Sequence, residues 1–188
     1  MAQLSQQDLE IIRELRAADV LQDVDGYRLN QRYGIILVCC SDGDQMPDIW
    51  RFQNGIMAKQ RQEARIHPIT LNGGALLIPG DSPLNKDVQE DLVYLKHIAG
   101  AHQLKKIETI VLYSHAPCGA AGLAKLTLID VITLLKKAGQ RVRNSFPSFF
   151  QVVCFFHVDN GESKRTYFVS GPKWEQWLAQ KQAIGRVV

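Results

Sequence analysis

Two fragments far apart in the chain carry side chains that bind metals, Cys40-Ser41-Asp42 and His115-Ala116-Pro117-Cys118-Gly119. Two thiolates and one imidazole suit Zn²⁺, which takes soft sulfur and borderline nitrogen ligands in a tetrahedron. Three protein ligands leave the fourth corner for water, which separates a catalytic zinc from a structural one. His115 and Cys118 are three residues apart, and a turn entering a helix aims both at one point. Gly119 allows tight backbone geometry just after the second of them. Cys40 must come from elsewhere, so only a folded chain assembles the set. Singly, a cysteine is an ordinary small buried hydrophobe, and a histidine at a strand end is an ordinary hydrogen-bonding residue. The combination, delivered by two strand exits, points to a metal.

The elements that must position these residues are legible as apolar runs. Residues 33 to 40 read as a buried strand leading into Cys40, and 107 to 114 as another leading into His115. Residues 66 to 71 and 164 to 170 read as further strands, and 149 to 158 is so continuously apolar that it reads as a fully buried one. Asn160-Gly161 is a strong turn signal between the last two. Helices are expected over 5–18 (capped by Ser5, with Leu9, Ile12 and Leu15 on one face), 47–64, 85–103, 120–138 and 173–182. In the third of these, Val88, Leu92, Leu95 and Ile98 form the expected inward stripe. Strands alternating with helices imply an α/β fold with a mainly parallel sheet, whose sites lie at the carboxyl ends of strands. Cys40 and His115 stand at such ends.

Composition bounds the function classes. At 188 residues, residues 1–188 are expected to form a single domain with a substantial core. The net charge of +3 is too small to argue for nucleic acid. The basic pairs Lys105-Lys106, Lys136-Lys137 and Arg141 with Arg143 read as a solvated face. No apolar stretch reaches transmembrane length, and the polar N-terminus lacks the pattern of a signal peptide. A cytoplasmic protein without a membrane partner is therefore expected. The four cysteines, at 39, 40, 118 and 154, do not resemble a secreted disulfide framework. Adjacent Cys39 and Cys40 must face opposite sides of their strand, so Cys39 and Cys154 read as core.

With these residues in view, the chain resembles the β-class carbonic anhydrases over roughly residues 30 to 170. That family carries Cys-x-Asp-x-Arg at one strand end and His-x-x-Cys-Gly at a later one, matched here by Cys40-Ser41-Asp42 and by His115 to Gly119. Ile69 to Gly74 stands where the family has an Arg-Asn-Ala-Gly stretch. The resemblance implies a β-carbonic-anhydrase-like α/β fold, a zinc ion on Cys40, His115 and Cys118, and reversible hydration of CO₂ to bicarbonate. It implies that Asp42 orients zinc-bound water or ligates the metal. It also implies a dimer, or an assembly of dimers, with the N-terminal helix as a dimerisation arm.

Two family arginines are missing. The motif position holds Asp44, and the position before Asn72 holds Leu71. In the family, the first arginine holds the motif aspartate off the metal. Asp44 cannot, and each added negative charge at about 6 Å costs an anionic product roughly 3 kcal/mol at an effective dielectric of about 20. Asp42 and Asp44 are thus the residues on which turnover depends, unless Arg51, Arg61 or Arg65 folds back as a substitute cation. A zinc hydrolase for another small neutral electrophile, such as COS or CS₂, is an alternative. A noncatalytic zinc protein with Asp42 closing the site is another. The glycines from Gly73 to Gly80 lack a P-loop ending, and their expected role is close backbone approach beside the metal. His97 and His102 read as surface or helix-end residues, and His67 and His157 as structural rather than proton-shuttling. The aromatic residues near the C-terminus read as core or subunit interface rather than ligand cage.

Overall fold

The computed structural model describes residues 3–31, 33–61, 63, 65–85, 89–149, 151–183 and 185. Six strands form one sheet: β1 (Leu21–Asp23), β2 (Ile35–Cys40), β3 (Ile66–Leu71), β4 (Thr109–Ala116), β5 (Gln151–Asp159) and β6 (Lys164–Val169). Their spatial order is β1-β6-β5-β4-β2-β3. β3, β2, β4 and β5 run parallel, while β6 and β1 add an antiparallel edge. The mainly parallel α/β sheet expected from the sequence is therefore present. β2 and β4 are buried along their whole length, which is why both read as unbroken apolar runs rather than alternating ones.

Strand alternation divides the core in two. Ile36, Val38, Cys40, Ile110 and Leu112 pack with α1 (Gln6–Ala17), α3 (Glu90–Lys105), α5 (Leu128–Ser145) and α6 (Gly171–Ala183). Ile35, Leu37, Cys39, Val111 and Tyr113 pack with α2 (Met46–Lys59) on the other face. Cys39 and Cys40 thus face opposite ways, as the period of a strand requires. Ser5 caps α1 in a reciprocal capping box with Asp8. Ile12 and Leu15 of α1 lie in this chain's own core, as do Trp174 and Trp177 of α6, which stack on each other.

Several expectations need correction. The helix expected over 120–138 is two helices, α4 (Gly119–Leu123) and α5, separated at Lys125, whose φ is +56°. Thr127 and Asp130 form a capping box that starts α5, a local signal masked by the apolar pattern running through it. α2 ends at Lys59 rather than 64, and Arg61 follows with φ +53°. α3 begins at Glu90, and Val88 lies outside the described residues. Its inward face is Asp91, Tyr94, Ile98 and Ala101, while Leu92 is 50% exposed. The face is turned because Arg141 Nη2 donates to Asp91 Oδ2 at 2.7 Å and Nη1 donates to the Ile78 carbonyl at 2.9 Å. That also removes Arg141 from the solvated face. The short strand β1 has no counterpart among the expected elements. Among the described residues no helix is long and apolar enough to cross a membrane.

Candidate metal centre

β2 and β4 are sheet neighbours, paired in parallel from Ile36 against Ile110 to Val38 against Leu112. Cys40 is the last residue of β2 and His115 the penultimate residue of β4, so both reach the carboxyl edge of the sheet together. Cys118 follows as the extended residue that opens α4. One ligand atom from each of the three lies within 4.8 Å of the other two. Tetrahedral zinc would hold such atoms about 3.5–3.8 Å apart, so a small contraction closes the set. All three residues are buried.

The donor chemistry fits a metal. Both ring nitrogens of His115 are buried without a hydrogen-bond partner, a costly arrangement unless something binds there. Cys40 is held well below the usual thiol range, first by a hydrogen bond from the Cys118 thiol and then by His115 and the Gly73 amide, against the opposing effect of burial. Cys118 is pushed up by the same partner and by burial. The Gly73 N–H donates to Cys40 Sγ at 3.3 Å. Gly74 has φ +55°, and a Cβ there would lie 2.3 Å from the Cys40 nitrogen. The close backbone approach expected of the glycine segment is thus made at Gly74.

Asp42 stands beside this set. Its Oδ2 is 3.9 Å from His115 Nε2, and its Oδ1 accepts the Asp44 N–H at 2.9 Å. Asp44 exposes its side chain to solvent and bonds through its main chain. Its carbonyl accepts from Lys164 Nζ at 2.7 Å. The same ammonium lies 3.1 Å from Asp48 Oδ2 and 3.2 Å from Asp159 Oδ2. Gln45 Nε2 also donates to Asp159, at 2.9 Å. Asp42, Asp44, Asp159 and Lys164 line a cavity of about 600 Å³ with Leu4, Leu9 and Pro117.

Lys164 was not among the residues singled out from the sequence. A lysine at the start of a strand reads as surface, and nothing local ties it to a turn 120 residues earlier. Of the three arginines considered as substitutes, Arg51 pairs at 2.6 Å with Asp48, the carboxylate that Lys164 also meets, Arg65 donates to the Tyr33 and Lys105 carbonyls, and Arg61 lines a different hollow with Tyr27 and Lys59. His157 pairs in register with His115 and is buried; its Nδ1 is 2.9 Å from Thr166 Oγ1 and its Nε2 has no partner. His97 is exposed, and His102 Nδ1 lies 2.7 Å from the Ile107 carbonyl at the end of α3. His67 is half-buried on β3.

No protein-family model matches the chain, and no curated protein matches it. Solved structures that resemble it include the β-carbonic anhydrase CafD of Aspergillus fumigatus, with 14% identity, a TM-score of 0.46, and coverage of 80% of this chain and 99% of that one. A carbonic anhydrase from Streptococcus mutans gives 12% identity and a TM-score of 0.44, covering 90% of this chain and 100% of that one. The β-carbonic anhydrase CafA of Aspergillus fumigatus gives 12% identity and a TM-score of 0.35, covering 94% and 90%. Likeness at this level carries no inference about activity, so the chemistry rests on the residues themselves.

Proposed function

We propose that Cys40, His115 and Cys118 hold a zinc ion and that the chain is a carbonic anhydrase-like lyase hydrating CO₂ to bicarbonate. The observation that carries this is the three-residue cluster, all ligand atoms within 4.8 Å, around a buried imidazole whose ring nitrogens have no hydrogen-bond partner among the described residues. Bound zinc would supply the Lewis acidity that brings the pKa of water near neutrality. Asp42 is the residue that accepts the hydrogen of the attacking water and turns its lone pair toward carbon. Its carboxylate is fixed at Oδ1 by the Asp44 amide, which leaves Oδ2 for that task. Asp44 contributes through its main chain in this proposal.

The cavity favours a neutral substrate. Its carboxylates Asp42, Asp44 and Asp159 outnumber Lys164, whose ammonium is already shared with Asp48 and Asp159. CO₂ satisfies this, as do COS and CS₂, while bicarbonate leaves readily and inhibitory anions bind weakly. A second reading, a noncatalytic zinc protein, is favoured by the 3.9 Å between Asp42 Oδ2 and His115 Nε2, close enough for Asp42 to take the fourth corner.

The test begins with metal analysis of the purified chain and of Cys118→Ala. One zinc per parent chain and its loss from the variant are expected; zinc retained in the variant sinks the ligand assignment. Stopped-flow CO₂ hydration then separates the readings. Turnover supports the lyase, whereas a zinc-loaded but inactive parent passes the question to COS hydrolysis. A crystal structure of the zinc-loaded chain decides the noncatalytic case by showing whether Asp42 or water is the fourth ligand.

A further inference from the structure

We propose that Lys164 is the positioning residue for Asp42, acting through the backbone of Asp44; this rests on the role given to Asp42 above. The contacts form a chain from β6 to the metal cluster. Lys164 Nζ donates to the Asp44 carbonyl at 2.7 Å, the Asp44 N–H donates to Asp42 Oδ1 at 2.9 Å, and Asp42 Oδ2 faces His115 Nε2 at 3.9 Å. The Lys164 ammonium donates to the Asp44 carbonyl and stands at ion-pair distance from two carboxylates, Asp48 at 3.1 Å and Asp159 at 3.2 Å.

Those three partners belong to separate pieces of the fold. Asp44 lies in the turn after β2, Asp48 in the first turn of α2, and Asp159 at the end of β5. A single cation therefore draws the 42–44 turn against the β5–β6 hairpin. Charge-assisted bonds of this kind are short and about twice as strong as neutral ones. The Asp44 side chain cannot replace the contact, because an ionised carboxylate has no hydrogen to donate to Asp42. The turn also carries main-chain bonds from Gln45 and Met46 to the Asp42 carbonyl, at 3.2 and 2.9 Å. These set the backbone of Asp42 but leave its carboxylate to be fixed by Asp44. With its charge held among the Asp44 carbonyl, Asp48 and Asp159, Lys164 orients a catalytic group rather than binding an anionic substrate.

The test uses the full chain loaded with zinc, in three forms: parent, Lys164→Gln and Lys164→Arg. Amide hydrogen exchange followed by NMR reads the Asp44 N–H directly. In Lys164→Gln that amide should exchange at least tenfold faster while the β4 and β5 amides stay unchanged, and Lys164→Arg should restore the slow rate. Lys164→Met, which keeps the aliphatic stem, gives the same readout should the glutamine variant not fold. In CO₂ hydration, kcat should fall about tenfold in Lys164→Gln with KM unchanged. An Asp44 amide that exchanges within twofold of the parent in Lys164→Gln or Lys164→Met overturns the proposal. Accelerated Asp44 exchange in a chain whose parent never hydrates CO₂ supports the positioning role and overturns the CO₂ reading instead.

Discussion

His157 is an ionisable side chain that the fold keeps neutral. It lies 2% exposed beside His115, and its pKa is lowered to about 4, chiefly by burial and then by the neighbouring His115. The other groups facing it are Asp48 from α2, Lys164 and Thr166 from β6, and Asp159 from its own strand. An unfolded histidine titrates near pH 6.5. Between that pH and about 4 the unfolded chain takes up a proton that the folded chain refuses, so stability rises with pH across the window. Acidification from pH 7 to 4 should therefore cost up to about 3 kcal/mol from this residue. Urea denaturation of the zinc-loaded protein as a function of pH checks it: the slope between pH 6.5 and 4.5 should flatten in His157→Gln. At this scale, the grouping of Cys40, His115 and Cys118 was readable because thiol and imidazole donors are few in the chain and these three stood at or just past two strand exits. Lys164 was not, because its partners are a distant backbone carbonyl and two aspartates that only the folded sheet brings near.

Among the elements, the glycine segment after β3 tolerates substitution poorly. Gly74 approaches the backbone of Cys39 and Cys40 so closely that an added Cβ would meet the Cys40 nitrogen at 2.3 Å, and its φ is +55°. Gly74→Ala thus combines a backbone clash with a left-handed conformation, and should destabilise the protein by more than about 2 kcal/mol. Because the clash falls on a ligand residue, zinc content should fall too; thermal denaturation together with metal analysis reads both effects. β2, β4 and β5 were recognisable because burial on two faces makes each an unbroken apolar run. The helix boundaries were less so, and each miss has a local cause. Thr127-Leu128-Ile129-Asp130 is a helix start embedded in an apolar run that looked continuous. α3 turns a carboxylate inward because Arg141, fifty positions away, neutralises it. β1 is three residues long and exists only because β6 is there to pair with it.

For the molecule as a whole, we expect a dimer at micromolar concentration, and sedimentation velocity finding monomer alone would refute it. The stripe on α1 cannot serve as an arm in its entirety, since Ile12 and Leu15 are committed to the chain's own core. What stays open near the site is Leu123, 90% exposed on α4 just past Cys118, and Leu71, 40% exposed at the end of edge strand β3. Leu123→Lys should shift the equilibrium toward monomer if this side of the sheet is the contact.

The seating of Cys40, His115 and Cys118 also governs how fast an ion can come and go. Their exposures are 7%, 2% and 7%, and two of them lie at the carboxyl ends of adjacent strands in the sheet interior, Cys40 as the last residue of β2 and His115 as the penultimate one of β4. Water and a small substrate can reach an ion from the cavity, but a chelator must strip three buried ligands from it, and the backbone around Gly74 and the turn at Asp42 hold them in place. Removal by EDTA should therefore be slow, independent of EDTA concentration once that is high, and steeply accelerated by sub-denaturing urea, because its clock is local unfolding and not ligand competition. A chain of this design would inherit its metal at folding and keep it through its working life, insulated from fluctuations in the free-zinc level around it.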